Sequence, residues 1–278
     1  MQAGTTEAAA RCTMLEEVRY YRLRPWQVVA AREACPVAYV PLGTTEWHGP
    51  HMPLGADTVM AECLAERCTR EGGGLVLPSL AWGESRLEGL MDAHAPDYLA
   101  IHAEMKLPSA GFTAAAFRYG LQEQYENYQR LLLHMLCEIQ SLGFKVGVLI
   151  AGHYPLIDHA RAALGIFHQM RFNGSRARMV GWTFTGPELI PEEIPQGGDH
   201  AGFWETSMML GICPEVVDMN RLPPGTEKPT GTLTTRPIQE ADAQFGKRAV
   251  DLIVQRAIAA VRDRLDNPKA YYAHGLRV

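Results

Sequence analysis

The segment PLGTTEWHGPHMPLGADT, residues 41–58, contains one glutamate, two histidines and one aspartate in a short stretch rich in Gly and Pro. Glu46 and His48 are two positions apart at the end of a predicted strand, and this period of two places both side chains on one side of the chain. Asp57 follows at the start of the next predicted helix. Carboxylate and imidazole donors without a thiolate suit zinc, manganese or iron at a hydrolytic site.

A further histidine follows a second buried strand. His153 comes directly after the apolar run KVGVLIAG, which places it at the carboxyl end of that strand. Ligands of open α/β sheets bind in the crevice outside these ends. We therefore expect Glu46, His48, Asp57 and His153 to converge on one crevice and to bind a divalent metal ion.

A third group of polar residues surrounds a predicted helix start in GGDHAGFWETSMML. Near a metal ion, His200 could protonate a leaving nitrogen or orient an attacking water. Asp199 is a second catalytic candidate and Glu205 a fifth candidate ligand. Both have structural alternatives, because Asp199 could cap the helix and Glu205 could be an exposed helix residue. The other candidates also have alternatives: Asp57 as a helix cap, Glu46 as a solvated residue, and His51 and His153 as hydrogen-bonded histidines.

The elements that position these residues alternate between strand and helix. PVAYVPLG, LVLPSLAWG, KVGVLIAGHY and ARMVGWTF are predicted strands, and five helical patterns separate or follow them. This order predicts a largely parallel sheet with helices on both faces. A chain of 278 residues with 47% hydrophobic residues can form one core, so we predict a single domain over residues 1–278, with loose tails at 1–14 and 267–278.

Composition excludes several classes of function. The net charge is −5 and basic residues are scattered, so nucleic acid is not an expected partner. No signal-peptide pattern and no long apolar run is present, which predicts a cytoplasmic protein without a membrane partner. The six cysteines lack a CxxC spacing and are expected to be buried thiols rather than disulfides or metal ligands.

The three motifs together resemble the creatininase (creatinine amidohydrolase) family. PLGTTEWHGPHMPLGADT, AGHY after a strand, and DHAGFWETSMML occur in the family's order, over roughly residues 37–211. The resemblance implies a three-layer α/β/α sandwich, one or two divalent ions per chain, a small-molecule amide substrate and a homo-oligomer, often a hexamer. It also implies metal-ligand roles for Glu46, His48, Asp57 and His153, with Asp57 at the bridging position, and places His200 near the scissile amide.

The chain departs from the creatininase pattern at one site position. In creatininases, the histidine after the strand is followed two residues later by a glutamate that binds the second ion, whereas Pro155 stands there in GHYPL. Proline offers no ligand atom, so Glu205 is the nearest replacement by motif. The tryptophan that creatininases carry before HAG is also missing. The connection over residues 94–124 is longer than usual and could form a lid or substrate wall.

These features predict a metal-dependent amidohydrolase that cleaves a non-peptide amide, a cyclic amide or a formamide with a metal-activated water. The alternative is a silent family member that keeps the fold and serves as a metal-containing binding or assembly module.

Overall fold

The computed structural model describes residues 16–83, 97–107, 120–172, 175–176, 179–195 and 197–271. Its central sheet has four parallel strands in the order β2-β1-β3-β6. A separate antiparallel pair is formed by β4 and β5. The strands are β1 (Val37–Leu42), β2 (Leu75–Val76), β3 (Val146–Ala151), β4 (Arg171–Phe172), β5 (Ser175–Arg176) and β6 (Val180–Phe184).

Helices cover both faces of the central sheet, which confirms the predicted three-layer α/β/α fold. The layer on one face includes α2, α6 and α7, and the opposite layer includes α1, α4 and α5. The helices are α1 (Pro25–Ala34), α2 (Ala56–Gly72), α3 (Tyr98–Glu104), α4 (Leu121–Ser141), α5 (Leu156–Gln169), α6 (Phe203–Ile212) and α7 (Ala243–Asp266).

The strands are apolar along their whole length because both faces of the sheet are buried. In β1, Val37 and Tyr39 pack into the α2/α7 layer, while Ala38 and Val40 pack into the α4/α5 layer. All six residues of β1 are buried. The alternation follows from the period of two, and the continuous apolar run is what a parallel sheet between two helical layers requires.

The connections change face between β1 and β3. Helix α2, which follows β1, packs on one face, whereas α5, which follows β3, packs on the other. The two strands are direct neighbours, with Leu42 opposite Ala151 at their carboxyl ends. A crevice opens at such a switch point in α/β sheets. The loops that carry the candidate ligands leave the sheet at this place.

The structure differs from the sequence expectation in several local features. The strand predicted in LVLPSLAWG is reduced to Leu75–Val76, with Leu80 forming an isolated bridge to Leu42. Helix α1 was not predicted. The chain after α7 continues as a 3-10 helix, Pro268–Tyr271, in which Tyr271 is buried, although a loose tail was predicted from residue 267.

Two predicted segments are described by the structure only in part or not at all. Within the predicted lid over residues 94–124, residues 94–96 and 108–119 lie outside the described residues, and so does the whole predicted tail at 1–14. Within the described ranges, no helix is both long enough and apolar enough to span a membrane.

Candidate metal centre

The carboxyl ends of β1 and β3 and the start of α2 come unusually close together. A Cβ atom at Gly43 would lie 2.2 Å from Thr58 Oγ1, and one at Gly152 would lie 2.0 Å from the carbonyl oxygen of Asp57. Only glycine permits this approach. The two glycines therefore let the first turn of α2, with Asp57, sit between the two strand ends.

The first cluster joins Glu46, Asp57 and His153. Nδ1 of His153 lies 3.0 Å from Oε2 of Glu46 and 3.2 Å from Oδ2 of Asp57. Both carboxylate oxygens are buried, and neither has a well-aligned hydrogen-bond donor among the described residues. Three ligand atoms thus face one common point from the ends of β1 and β3 and from α2.

The second cluster joins His48, the other oxygen of Asp57 and Glu205. Nε2 of His48 lies 3.0 Å from Oδ1 of Asp57 and 3.7 Å from Oε2 of Glu205. Nδ1 of His48 donates to the carbonyl oxygen of Glu46 at 3.1 Å, which fixes the ring and leaves Nε2 for the cluster. Glu205 is part of the site and not the exposed helix residue of the structural alternative, because α6 begins beside the β1 loop.

The first cluster has the spacing that a divalent cation requires, and in the second the 3.7 Å between His48 and Glu205 is slightly longer. Ligand atoms about 2.0–2.2 Å from a cation lie roughly 3–3.5 Å from one another in tetrahedral or octahedral geometry. The distances of 3.0 and 3.2 Å in the first cluster fall in this range. Buried carboxylate oxygens without donors are costly unless a cation binds them. Since the two oxygens of Asp57 face different clusters, this residue can bridge two ions.

The charges of neighbouring carboxylates shift the pKa values of both histidines. Burial alone would lower the pKa of His48, but Asp57 and Glu205 raise it to about 10. Burial is likewise outweighed at His153, where Asp57 and Glu46 raise the pKa to about 10. A cation binds neutral imidazole, so its binding must release these protons.

The carboxylates have different pKa values. Burial favours the neutral form of Glu46, but the hydrogen bond and charge of His153 hold its pKa below the usual range. The pKa of Asp57 is lowered further by His48 and His153, against its burial. Burial raises the pKa of Glu205 to about 8, and the neighbouring Asp57 adds to this shift.

His200 lies beside these clusters. Its ring centroid is 4.6 Å from that of His48, and its Nε2–H donates to the carbonyl oxygen of Trp47 at 2.9 Å. Nδ1 is therefore the nitrogen available for proton transfer. Burial and the charge of His48 lower the pKa of His200. Glu46, His48 and His200 also form a third group of closely spaced candidate ligands.

Asp199 contacts backbone amides at the start of α6. Its carboxylate accepts hydrogen bonds from the amides of Trp204 at 2.9 Å and Glu205 at 3.1 Å. This is the capping role that the sequence left open. Ala201 lies between Asp199 and Glu205 in the sequence and has a left-handed φ of 51°. Its amide donates to Oε2 of Glu205 at 2.6 Å. Asp199 and Ala201 together fix the carboxylate of Glu205.

A buried histidine that the sequence did not assign to the site links the two motifs. Nε2 of His51 and the hydroxyl of Thr206 share a hydrogen bond of 2.8 Å, and both residues are buried. Burial and the charge of His48 lower the pKa of His51 to about 4, so the ring is neutral. The hydrogen bond ties α6 to the β1 loop. The sequence hints at a role for His51 only through its position inside the first motif. No local pattern predicts its contact with Thr206, which is 155 residues away.

A cavity of about 460 Å³ adjoins the clusters. Asp57, His200 and Glu205 line it, as do Asp199 and backbone around Gly198. Metal ligands that line a cavity of this size form a candidate active site.

Known proteins resemble the chain in sequence and fold. It is 25% identical over 271 residues to creatinine amidohydrolase of Pseudomonas putida, covering 86% of this chain and 94% of that protein. It is 28% identical over 208 residues to a mycofactocin precursor peptide peptidase of Mycobacterium ulcerans (strain Agy99), covering 71% of this chain and 67% of the relative.

Solved creatininase structures share the fold. A crystal structure of creatinine amidohydrolase (creatininase) superimposes with a TM-score of 0.65 at 22% identity, covering 91% of this chain and 99% of the other. A structure described as Creatininase Mn gives a TM-score of 0.66 at 22% identity, covering 91% of this chain and 100% of the other. The family model for creatininase, described as creatinine amidohydrolase, matches residues 23–261. The chain therefore belongs to the creatininase family.

Proposed function

We propose that the chain is a metal-dependent hydrolase that cleaves a non-peptide amide, a cyclic amide or a formamide. The observation that carries this proposal is the pair of ligand clusters that share Asp57 beside a cavity. Buried carboxylates and imidazoles in this arrangement are typical of hydrolytic metal centres.

Five residues hold the cations in this proposal. Glu46, Asp57 and His153 would hold one cation, and His48, Asp57 and Glu205 would hold a second. Zinc or manganese suits these donors, with iron as an alternative. When bound, the cations supply Lewis acidity toward the scissile carbonyl and lower the pKa of the attacking water.

Glu205 replaces the ligand lost at Pro155. Proline supplies no ligand atom there and instead occupies the N-cap position of α5. The carboxylate of Glu205 reaches His48 from α6, which supports a complete second ligand set. The loss of the creatininase glutamate is therefore compensated within the site, and this favours the hydrolase over the silent binding module.

Two residues next to the ligands, His200 and Asp199, are assigned to proton transfer and to positioning. His200 keeps its Nε2–H on the carbonyl of Trp47, so that Nδ1 can take a proton from the attacking water and return it to the leaving nitrogen. The predicted catalytic role of Asp199 remains a prediction; its contacts favour a positioning role, in which it aligns Glu205 through the α6 backbone.

A peptide amide is a second candidate substrate. It is favoured by the mycofactocin precursor peptide peptidases, whose sequences match this chain at 28% and 27% identity. The same cluster serves either bond, because hydrolysis of both requires a polarised carbonyl and an activated water.

The test combines elemental analysis with turnover. Glu46→Gln should lower the metal content per chain and abolish activity, whereas His200→Asn should abolish activity with the metal content unchanged. Substrates should include a cyclic amide, a formamide and a short peptide. No turnover of any amide by the metal-loaded wild type, or no bound metal under metal-replete conditions, would refute the hydrolase.

Two further expectations stay predictions. A homo-oligomer, with the hexamer as the form implied by the resemblance, is tested by light scattering on the purified protein. A cytoplasmic location is tested by cell fractionation.

A further inference from the structure

The wall of the cavity away from the ligand clusters is largely apolar. Of its side chains, most are hydrocarbon, thioether or aromatic. They include Met60, Pro187, Trp204, Met208, Met209 and Leu233. A volume of about 460 Å³ falls in the range of pockets that enclose ligands well above the size of a small ring.

The accessible part of this wall comes from three elements. Met60 follows Asp57 by three positions on α2, so it lies on the helix face of that candidate ligand. Pro187 follows β6, and Leu233 pairs with the backbone of His200 through an isolated bridge. Met208 and Met209 lie behind this surface and are 2% and 0% exposed, so they support the wall as part of the core.

Charge is distributed unevenly around the cavity. No lysine or arginine is among the described residues that line it. Asp57 and Glu205 belong to the ligand clusters, and the carboxylate of Asp199 is engaged by two backbone amides. Bound cations would neutralise the ligand carboxylates, but the apolar wall would offer an anionic substituent no partner.

We infer that the substrate carries an uncharged, apolar group of several carbons next to the scissile amide, and that the accessible side chains of Met60, Pro187 and Leu233 bind this group. The inference rests on the proposed amide hydrolysis for its scissile bond, but the binding it describes does not depend on turnover. It separates this chain's substrate from a small polar cyclic amide, which would leave most of the cavity unfilled.

The experiment uses four primary amides with the metal-loaded protein: acetamide, butanamide, hexanamide and 6-amino-6-oxohexanoate. The last has the chain length of hexanamide and a terminal carboxylate. Binding is measured by ligand-observed NMR titration and hydrolysis by ammonia release. Each buried CH₂ contributes up to roughly fourfold in affinity, so hexanamide should bind at least tenfold more tightly than acetamide and than the carboxylate analogue. A smaller gain over either one would overturn the inference.

The two readouts separate this inference from the proposed function. Graded binding without ammonia release supports the apolar site and contradicts hydrolysis of these amides. Ammonia release with equal kcat/KM for acetamide and hexanamide, and equal affinity, supports the hydrolase and overturns the apolar site.

A charge variant gives an independent test. Leu233 lines the cavity and is 66% exposed, so Leu233→Arg adds a cation at the rim with little effect on packing. It should improve binding of the carboxylate analogue relative to hexanamide by roughly threefold to fivefold. Ile166→Arg is the control, because Ile166 is 47% exposed on α5 and does not line the cavity. An equal change in both variants, or none in Leu233→Arg, would count against the proposed position of the substituent.

Discussion

The two ligand clusters differ in how they are built. Glu46 and His153 of the first cluster follow adjacent strands and lie 3.0 Å apart, in a place fixed by the sheet itself. Glu205 of the second cluster comes from α6, lies 3.7 Å from His48 and already accepts a hydrogen bond from Ala201. The first cluster is thus set by the register of the sheet, and the second depends on how a helix packs against a loop.

This difference has an electrostatic counterpart. The pKa of Glu46 is held low by His153 despite burial, so its carboxylate is ionised at neutral pH. Burial raises the pKa of Glu205 to about 8, so this carboxyl is mostly protonated there. We therefore expect the first cluster to bind its cation more tightly, and the second to depend more strongly on pH.

The largest expected effect comes from removing the shared ligand. Asp57→Asn takes one ligand from each cluster, so both ions should be weakened together and kcat should fall by roughly a thousandfold, because catalysis by a cation is worth several kcal/mol. Elemental analysis and a rate assay test this. Asp158→Asn is the control, since Asp158 is exposed on α5 and pairs with Arg161 at the surface. Retention of one full ion per chain in Asp57→Asn would disprove the bridging role.

Glu205→Gln should separate the clusters. It removes a ligand only from the second, so one ion per chain should remain while the affinity for the other falls by about 10- to 100-fold. Calorimetric metal titration would show one transition lost and one kept. Glu240→Gln, at an exposed carboxylate paired with Arg236, should change neither. Loss of both ions in Glu205→Gln would show that the clusters are not independent.

The pH dependence of metal affinity should also differ. Cation binding displaces one proton from His153 in the first cluster, but protons from both His48 and Glu205 in the second. Below pH 8, affinity should fall about tenfold per pH unit at the first cluster and more steeply at the second. Competition with a chromogenic chelator between pH 6 and 8 measures both slopes. Equal slopes would mean that Glu205 is not a ligand.

The smallest effect is expected from the hydrogen bond that ties α6 to the β1 loop. Thr206→Val leaves the buried Nε2 of His51 without its hydrogen-bond partner, which should cost about 1–3 kcal/mol of stability. The second ion should bind more weakly, but less so than in Glu205→Gln. Thr69→Val is a matched control, because the buried hydroxyl of Thr69 bonds only within α2. Thermal unfolding and metal titration distinguish the two variants, and equal metal affinity in both would remove His51 and Thr206 from the positioning of Glu205.

Much of the fold follows from patterns that are local in sequence. The runs that became β1, β3 and β6 are continuously apolar because a parallel sheet between two helical layers buries both faces. The strand predicted over residues 75–83 forms only at Leu75–Val76. Its apolar residues fit the pattern, but pairing beyond Val76 is limited to an isolated bridge at Leu80. Helix α1 was missed because none of its residues is buried, so it carries little apolar periodicity.

The candidate site, like the fold, combines features that the sequence predicts with features that it does not. By itself, the sequence determined the donor types and placed Glu46, His48 and His153 at strand ends, because strand period and parallel topology bring such residues to one edge. Only the tertiary structure decided that Glu205 joins His48, that Asp57 turns one oxygen to each cluster, and that His51 meets Thr206. These contacts connect positions up to 157 residues apart through helix packing, and no local pattern encodes the distance between two elements that meet only in the folded chain.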